Sequence, residues 1–182
     1  MLIKRNPSGI SADLLKEAIN GDESAFKSIY NMLSGKLYSI CLRYSTDDSE
    51  ANDIFQEAFV NIYISLSKYR FEGSFEGWAK KIVVNTCIDY SRRRSPRFVP
   101  IEDEELYDTV SVSGFEKIST NDIIKEIQHL SIGYRTVLNL YCIDGYKHAE
   151  IAEILGISEG TSKSQLMRAK IILKQKLTST IE

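Results

Sequence analysis

The sequence predicts an all-α protein made of two small helical domains joined by an acidic linker. Apolar residues recur at helical spacing over most of the chain, and glycines or short polar clusters separate the runs. Between the two helical parts, the segment 98–120 carries six acidic side chains against one cation and has no helical period. We therefore place the first domain at residues 1–97, the linker at 98–120 and the second domain at 121–182. An ordinary solvated loop is the alternative for the acidic segment.

Composition limits the class of protein. With 182 residues and 43% hydrophobic content, the chain can build packed cores. No apolar run approaches the roughly 20 residues that span a bilayer, and the opening MLIKRNPSG lacks the apolar middle of a secretory signal, so we expect a cytoplasmic protein. The cysteines (Cys41, Cys87 and Cys142) form no CxxC pair and are interpreted as buried apolar side chains, and neither histidine has a spaced partner. We expect no metal, no cofactor and no enzymatic centre.

The first domain is predicted to be a succession of helices. Ser11 is a natural N-cap for a first helix that Gly21 ends. A second run has apolar residues at helical spacing from Phe26 to Leu33 and is predicted to stop before Gly35, and a third follows in KLYSICLRYS. After the polar stretch STDDSE comes a longer helix, ANDIFQEAFVNIYISLSKY.

This longer helix has two different faces. One is an apolar stripe expected to face the core, formed by Phe55, Ala58, Phe59, Ile62, Leu66 and Tyr69. The other mixes polar and aliphatic side chains and contains Asp53, Gln56, Glu57, Val60 and Ile64. Because solvation alone would favour charges throughout, we interpret this second face as a docking surface for a partner protein. The alternative is that another helix of the same bundle covers its aliphatic residues.

Aromatic and basic residues are concentrated in the segment RFEGSFEGWAKKIVVNTCIDYSRRRSPR, residues 70–97. A loop is expected before a helix that starts near Ser74, and Pro96 marks the end of that helix. Aromatic faces can stack on unpaired bases and cations can follow phosphates, so the segment is typical of single-stranded nucleic-acid binding. Two structural alternatives stay open: the arginines can complement the helix dipole, and Phe75 and Trp78 can belong to the core.

The second domain has the pattern of a helix-turn-helix. The sequence from His129 onward divides at Gly145 and Gly156 into three helices. Apolar contacts around the second break are expected from Ile151, Ala152, Leu155 and Ile157. The small side chain of Ala152 permits close approach of the two helices.

The last helix is unusual because its first half is polar and basic. Ser158 is its natural N-cap, and Leu166, Ala169 and Leu173 share its predicted core face. The residues predicted to point outward are Thr161, Lys163, Ser164, Gln165, Met167 and Arg168. Small polar and basic side chains at the start of a helix can reach base edges in the major groove of DNA, so we interpret this helix as a DNA reader. A surface helix of an all-α protein is the alternative.

Taken together, DIFQEAFVNIY, SFEGWAKKIVVNTCIDYSRRR, GYRTVLNLY and HAEIAEILGISEGTSKSQLMRAK resemble the two regions of a bacterial extracytoplasmic-function (ECF) sigma factor of the sigma-70 family. The resemblance covers nearly the whole chain, in order. It implies a sigma domain 2 helical bundle and a sigma domain 4 helix-turn-helix, in a transcription initiation factor that binds core RNA polymerase and promoter DNA. Members are commonly held by an anti-sigma factor, often membrane-anchored, so such a partner is expected as well.

The resemblance also implies roles for individual residues. The polymerase subunits would be gripped by Asp53, Gln56, Glu57, Val60 and Ile64. A second group would bind the -10 promoter element as its duplex melts: Arg70, Phe71, Ser74, Phe75, Trp78, Lys81, Asn85, Arg92 and Arg93. The -35 element would be read by Thr161, Lys163, Ser164, Gln165 and Arg168. The acidic linker would pass through the polymerase, between the parts of the chain that bind the two promoter elements.

This chain departs from the family pattern at three positions. Ser131 stands where members often have proline, Ser162 stands where the family wording GTVKSRL has an apolar residue, and Gln165 replaces a cation in the same motif. Losing that cation should weaken non-specific phosphate attraction and leave more of the readout to its neighbours.

The main alternative function is a homodimeric helix-turn-helix regulator that binds duplex DNA without polymerase. Such a regulator needs neither the aromatic and basic segment nor an exposed aliphatic face on the long helix. An all-α enzyme is disfavoured because no paired acid, base or metal-ligand cluster is evident in the sequence.

Overall fold

The computed structural model describes residues 9–94 and 119–179, and every regular element in these ranges is a helix. The first range contains α1 (Ala12–Ile19), α2 (Glu23–Tyr44), α3 (Asp48–Ser65), a 3-10 turn (Leu66–Lys68) and α4 (Phe75–Arg94). The second range contains α5 (Thr120–Gln128), α6 (Ile132–Leu138), a π-helical turn (Asn139–Ile143), α7 (His148–Leu155) and α8 (Glu159–Ser179). The all-α class predicted from the sequence is confirmed.

The chain divides into two compact units. The first contains Met1–Cys41 and Asp48–Cys87, and the second contains Leu42–Asp47 and Ile88–Glu182. The predicted acidic linker lies outside the described residues, apart from Ser119 and Thr120, which begin α5. The domain boundaries placed at residues 97 and 120 stay a prediction.

In the first unit, aromatic side chains of α2 pack against aromatic side chains of α3. The ring centroid of Phe59 lies 4.6 Å from that of Tyr30 and 4.9 Å from that of Phe55, and Tyr38 meets Phe55 edge to face at 5.5 Å. Such pairs contribute about 0.5–1.5 kcal/mol beyond the area that they bury. The apolar stripe predicted on the long helix is confirmed, because each of its residues is at most 8% exposed.

Of the helix ends predicted for this unit, the start of α1 is confirmed and the break at Gly35 is not. Leu14 N–H donates to Ser11 Oγ at 3.1 Å, so Ser11 caps α1 as predicted. The break predicted at Gly35 is wrong, because α2 runs through that residue without interruption. A glycine inside a helix costs only about 1 kcal/mol relative to alanine. That cost is too small to end a helix whose side chains Leu33 and Leu37 are buried on either side of it.

The second unit is assembled around α8, against which α5, α6 and α7 all pack. Its first helix was not predicted. Ser119 and Asp122 form a capping box, with Asp122 N–H donating to Ser119 Oγ and Ser119 N–H donating to the Asp122 carboxylate, both at 3.2 Å. The box and the following isoleucines are legible in the sequence, but the predicted boundary at residue 120 separates Ser119 from Asp122, and no helix of this unit is predicted before His129.

The expected burial of the cysteines is correct for two of the three. Cys41 and Cys87 are buried, and both lie on long helices with core-facing neighbours. Cys142 is exposed, against expectation. It lies in the π-helical turn, whose wider winding changes the direction of each side chain relative to an α-helix.

Candidate functional site

The polar and aliphatic face of α3 is open in the structure. Val60 and Ile64 are 56% and 64% exposed, so among the described residues no helix of the bundle covers them. Asp53 and Gln56 are exposed and Glu57 is partly buried. The face therefore combines solvent-facing aliphatic surface with carboxylates, which is typical of a protein-docking site.

Sequence reasoning missed Tyr63, which extends this aliphatic surface. Its side chain is 53% exposed, and its ring lies 4.9 Å from that of Phe26 on α2, which supports it from one side. Helical spacing places Tyr63 beside Val60 and Ile64, since residues three and four apart share a face. An aromatic ring that is half open and half supported suits a docking surface.

The loop between the 3-10 turn and α4 is organised by a cluster of four aromatic rings. The Tyr69 ring lies 5.0 Å from Phe71, 5.2 Å from Phe75 and 5.4 Å from Trp78, measured between centroids. The Tyr69 hydroxyl donates to the Gly73 carbonyl at 3.0 Å, which ties the cluster to the loop backbone. Burial raises the pKa of Tyr69, so this hydroxyl keeps its proton and remains a donor.

The two phenylalanines of this cluster have different environments. Phe75 is 0% exposed, so the predicted contact between its ring and a base is not available in this arrangement, and it packs against Tyr69 and Trp78 instead. Phe71 is 44% exposed and has a φ of 58°. A bulky residue in this left-handed conformation costs on the order of 1–2 kcal/mol. The loop thus holds one exposed ring in a conformation that the backbone alone would not favour.

Helix α4 begins where the sequence predicted and presents polar groups along its length. Gly77 N–H donates to Ser74 Oγ at 3.0 Å, which makes Ser74 the cap of the helix. Lys81 and Asn85 are exposed one turn apart, and Trp78 is partly buried near the loop. The predicted end of the helix at Pro96 lies outside the described residues.

The arginines at the two ends of the aromatic and basic segment are open to solvent. Arg70, Arg92 and Arg93 are all exposed. Arg92 Nη1 lies 3.4 Å from a carboxylate oxygen of Asp89, and the Arg93 guanidinium lies 5.5 Å from the ring centroid of Tyr90. Exposed pairs of this kind are worth about 0–1 kcal/mol, so the guanidinium groups can exchange them for phosphate contacts at little cost.

Helix α8 is capped as predicted, but its open face differs from the predicted one. Thr161 N–H donates to Ser158 Oγ at 2.9 Å. Thr161, Ser164 and Arg168 are each partly buried, whereas Lys163 and Met167 are exposed. The solvent-facing line of the first three turns is therefore centred on Lys163 and Met167.

The two cations of this helix that were predicted to meet DNA, Lys163 and Arg168, have partners within the protein. Lys163 Nζ lies 2.7 Å from a carboxylate oxygen of Glu159, one turn earlier, and its hydrogen bond and charge lower the pKa of Glu159. Arg168 Nη1 donates to the hydroxyl of Tyr134 at 3.5 Å. Lys163 is free to swing because both members of its pair are more than half exposed, whereas Arg168 is anchored on α6.

Two of the departures from the family pattern turn inward. Gln165 is 1% exposed, so the outward direction predicted for its side chain is wrong. Its amide packs over Gly133 on α6, where a Cβ would lie 3.3 Å from Gln165 Nε2. Ser162 is 0% exposed, and its Oγ lies 2.9 Å from Nδ1 of His148. The third, Ser131, precedes α6 without a capping bond from its side chain.

Within residues 9–94 and 119–179, no three His, Cys, Asp or Glu side chains converge as metal ligands would. No helix in the described part of the chain is both long enough and apolar enough to cross a membrane.

Comparison with known proteins gives matches to both units. Sigma-70 region 2 matches residues 29–97, and sigma-70 region 4 matches residues 120–173. The ECF RNA polymerase sigma factor SigW of Bacillus subtilis is 30% identical over 178 residues, which cover 90% of this chain and 94% of that protein. The ECF RNA polymerase sigma-E factor of Escherichia coli is 26% identical over 181 residues, covering 92% of this chain and 94% of that protein.

A solved structure has a similar fold. It is the sigma factor RpoE of Bartonella quintana in complex with the anti-sigma factor NepR, with a TM-score of 0.52 at 21% identity over 84% of this chain and 96% of that one. The match to region 2 covers most of α2 and all of α3 and α4, a part that a regulator with only a helix-turn-helix would not contain. The chain therefore belongs to the ECF RNA polymerase sigma factors of the sigma-70 family.

Proposed function

We propose that this sigma factor docks on core RNA polymerase through the open face of α3 and engages promoter DNA through α4 with its preceding loop and through α8. The observation that carries the proposal is the exposed aliphatic surface of Val60 and Ile64 on a helix whose other apolar residues, apart from Tyr63, are buried. Keeping such surface in water is unfavourable, at about 25 cal/mol per Å². A partner that covers it recovers that free energy.

The docking residues are proposed to be Asp53, Gln56, Glu57, Val60 and Ile64, together with Tyr63. In this arrangement the aliphatic centre supplies most of the affinity, and the carboxylates at its N-terminal side select a basic partner surface and set the register.

The loop residues and the exposed side of α4 are proposed to meet the -10 element. Phe71 offers a ring for an unpaired base, and Arg70, Ser74, Trp78, Lys81, Asn85, Arg92 and Arg93 are proposed to surround the strand. Extruding a base costs a few kcal/mol, and stacking returns about 1–3 kcal/mol per base. Binding free energy can therefore drive melting without catalytic chemistry, and we propose no enzymatic activity for this chain. Phe75 supports the loop from within.

Helix α8 is proposed to read the -35 element. Lys163 would enter the groove or meet a phosphate from its exposed position, and Thr161, Ser164 and Arg168 would flank it. Gln165 is not included, because it is buried.

An anti-sigma factor is proposed as a further partner. The relative of similar fold was solved with the anti-sigma factor NepR. Occupation of the α3 face by such a partner would compete directly with polymerase. We place this exchange in the cytoplasm, where polymerase acts.

Run-off transcription with purified core polymerase tests the proposal. The wild-type chain is expected to direct specific initiation, and Val60→Arg is expected to abolish it together with polymerase binding. The control is Glu17→Arg, which places the same side chain at an exposed site on α1 and changes the net charge more strongly than Val60→Arg does. Normal polymerase binding by Val60→Arg with normal helicity, or equal loss with Glu17→Arg, would remove α3 as the docking face.

A further inference from the structure

We infer that a hydrogen bond between His148 and Ser162, reinforced by the ring of Tyr141, fixes the angle at which α8 meets DNA. His148 and Ser162 would thus be positioning residues for reading the -35 element. The inference rests on the proposed role of α8 and adds to it the contact that holds this helix in place.

Three elements meet at this contact. His148 is the first residue of α7, and its Nδ1 lies 2.9 Å from Oγ of Ser162 on α8. Its ring stacks on Tyr141 of the π-helical turn, with centroids 4.3 Å apart and planes inclined by 21°. Nζ of Lys170, two turns further along α8, lies 6.0 Å from the centroid of the same Tyr141 ring. The histidine is thus held on one side by α8 and on another by the turn.

The position of the contact matters because it lies at the end of α7 that is far from the turn joining α7 to α8. There Gly156 adopts a φ of 66°, and Ile157 N–H donates to the Ala152 carbonyl at 3.1 Å. His148 lies at the opposite end of α7, roughly 12 Å away at 1.5 Å per residue. A second directional attachment at the opposite end of α7 restricts rotation of the two helices about the turn and so helps to define their crossing angle.

Apolar packing between the two helices does not replace this second attachment. The two helices are in contact, and Ile151 and Leu155 of α7 are buried, but burial of apolar surface is non-directional and tolerates small rotations. A hydrogen bond and a stacked ring have preferred distances and angles. Ser162 also directly precedes Lys163, so any displacement of its backbone is passed on to the exposed cation.

The chemistry of Ser162 supports a specific role. Its hydroxyl is fully buried, and a buried polar group needs a partner to avoid a desolvation cost. An apolar residue at this position, as in the family wording GTVKSRL, would pack without any directional contact to α7. The pair of His148 and Ser162 therefore replaces general packing with an oriented link in this chain.

The test uses the full chain assembled with core polymerase and a duplex library randomised over the upstream promoter element. The variants are Ser162→Ala, His148→Phe, their combination, and His148→Asn, whose amide keeps a polar atom near the position of Nδ1. The control is His129→Phe, because His129 is exposed at the end of α5 and is the only other histidine. If Ser162→Ala does not fold, Ser162→Val takes its place.

Each single variant is expected to select altered bases and to bind the wild-type consensus about fivefold more weakly, the loss of one ordinary hydrogen bond. The double variant should be no worse than either single one, His148→Asn should recover part of the loss, and His129→Phe should change nothing. A merely structural role would lower the unfolding temperature in these variants and leave the selected bases unchanged.

Side-chain ¹⁵N spectra of the histidines provide a readout that does not depend on DNA. Ser162→Ala is expected to shift the Nδ1 resonance of His148 and leave that of His129 in place. An unmoved His148 resonance, or unaltered base selection in both single variants, overturns the inference. Failure of the proposed function would look different, because Lys163→Ala would then leave binding of the upstream element unchanged.

Discussion

Substitution of Phe75 and of Phe71 should have opposite effects on stability and on promoter melting. Phe75→Ala removes a ring with 0% exposure from between Tyr69 and Trp78. Phenylalanine to alanine changes in a core cost about 3–5 kcal/mol, as lost burial plus the cavity left behind. Since whole domains are stable by about 5–15 kcal/mol, this variant should unfold at a clearly lower temperature.

Phe71→Gly should be close to neutral for stability. The ring of Phe71 makes one aromatic contact, 5.0 Å from Tyr69, and such a pair contributes about 0.5–1.5 kcal/mol. Its loss is opposed by relief of the left-handed backbone at a φ of 58°, which costs a bulky residue on the order of 1–2 kcal/mol. The free energy of unfolding should therefore change by less than about 1 kcal/mol.

The assay combines denaturant unfolding of the free chain with permanganate reactivity of promoter thymines in the holoenzyme. Phe71→Gly should keep normal duplex binding and reduce open complex by about 5- to 150-fold, the equivalent of one base stack. Phe75→Leu, which retains most of the packing, should melt the promoter nearly as well as wild type. Normal thymine reactivity in Phe71→Gly, or native stability in Phe75→Ala, would refute the assignment of the exposed ring to the base and the buried ring to the core.

Three further predictions concern the second unit. Lys163→Ala should weaken binding to all upstream sequences about equally and reduce the salt slope by about one, because an ammonium group binds phosphate as a point charge; affinities at two salt concentrations check this. Hydrogen bonds from Ser119 lower the pKa of Asp122. The capping box therefore stabilises α5 at pH values above the unfolded pKa of this carboxyl, and the stabilisation is lost as pH falls through the lowered folded pKa. A ¹³C titration of the Asp122 carboxyl whose midpoint lies at the ordinary aspartate pKa would contradict this. In Gly133→Ala, a helix-propensity gain of up to about 1 kcal/mol is opposed by a Cβ that would lie 3.3 Å from Gln165 Nε2. The substitution should therefore raise the unfolding temperature more in a Gln165→Ala background than in the wild type, and an equal change in both backgrounds would contradict the contact.

Local sequence rules predicted the starts of α1, α4 and α8 and the core stripe of α3 correctly. Ser11, Ser74 and Ser158 each accept a hydrogen bond from a backbone N–H two or three residues into their helices. Capping is decided within one turn of chain, so no other part of the molecule is needed to predict it. The buried stripe of α3 follows from helical period alone, because apolar residues on one side of a helix have to be covered by something.

The exposure of side chains on the faces between core and solvent was predicted less well. The helical period fixes the direction of each side chain around its own helix axis, but the position of the neighbouring helix decides which directions are closed. Phe71 and Phe75 are the same residue type in a similar sequence context, yet the side chain of Phe71 is 44% exposed and that of Phe75 is 0% exposed. Gln165 was expected to face DNA and is closed off by α6, where Gly133 leaves room for its amide.

What the sequence by itself determined is therefore the helical class, the order of two sigma regions and the chemical types that they present: an aliphatic and acidic face, an aromatic and basic segment and a polar helix. The tertiary structure alone decided that α2 continues through Gly35, that Val60 stays open and that His148 meets Ser162 across 14 residues. The physical reason is that these outcomes depend on which surfaces two separate helices bring into contact. The helix contacts that form are those that minimise the free energy of the whole unit, so they cannot be predicted from any single run of residues.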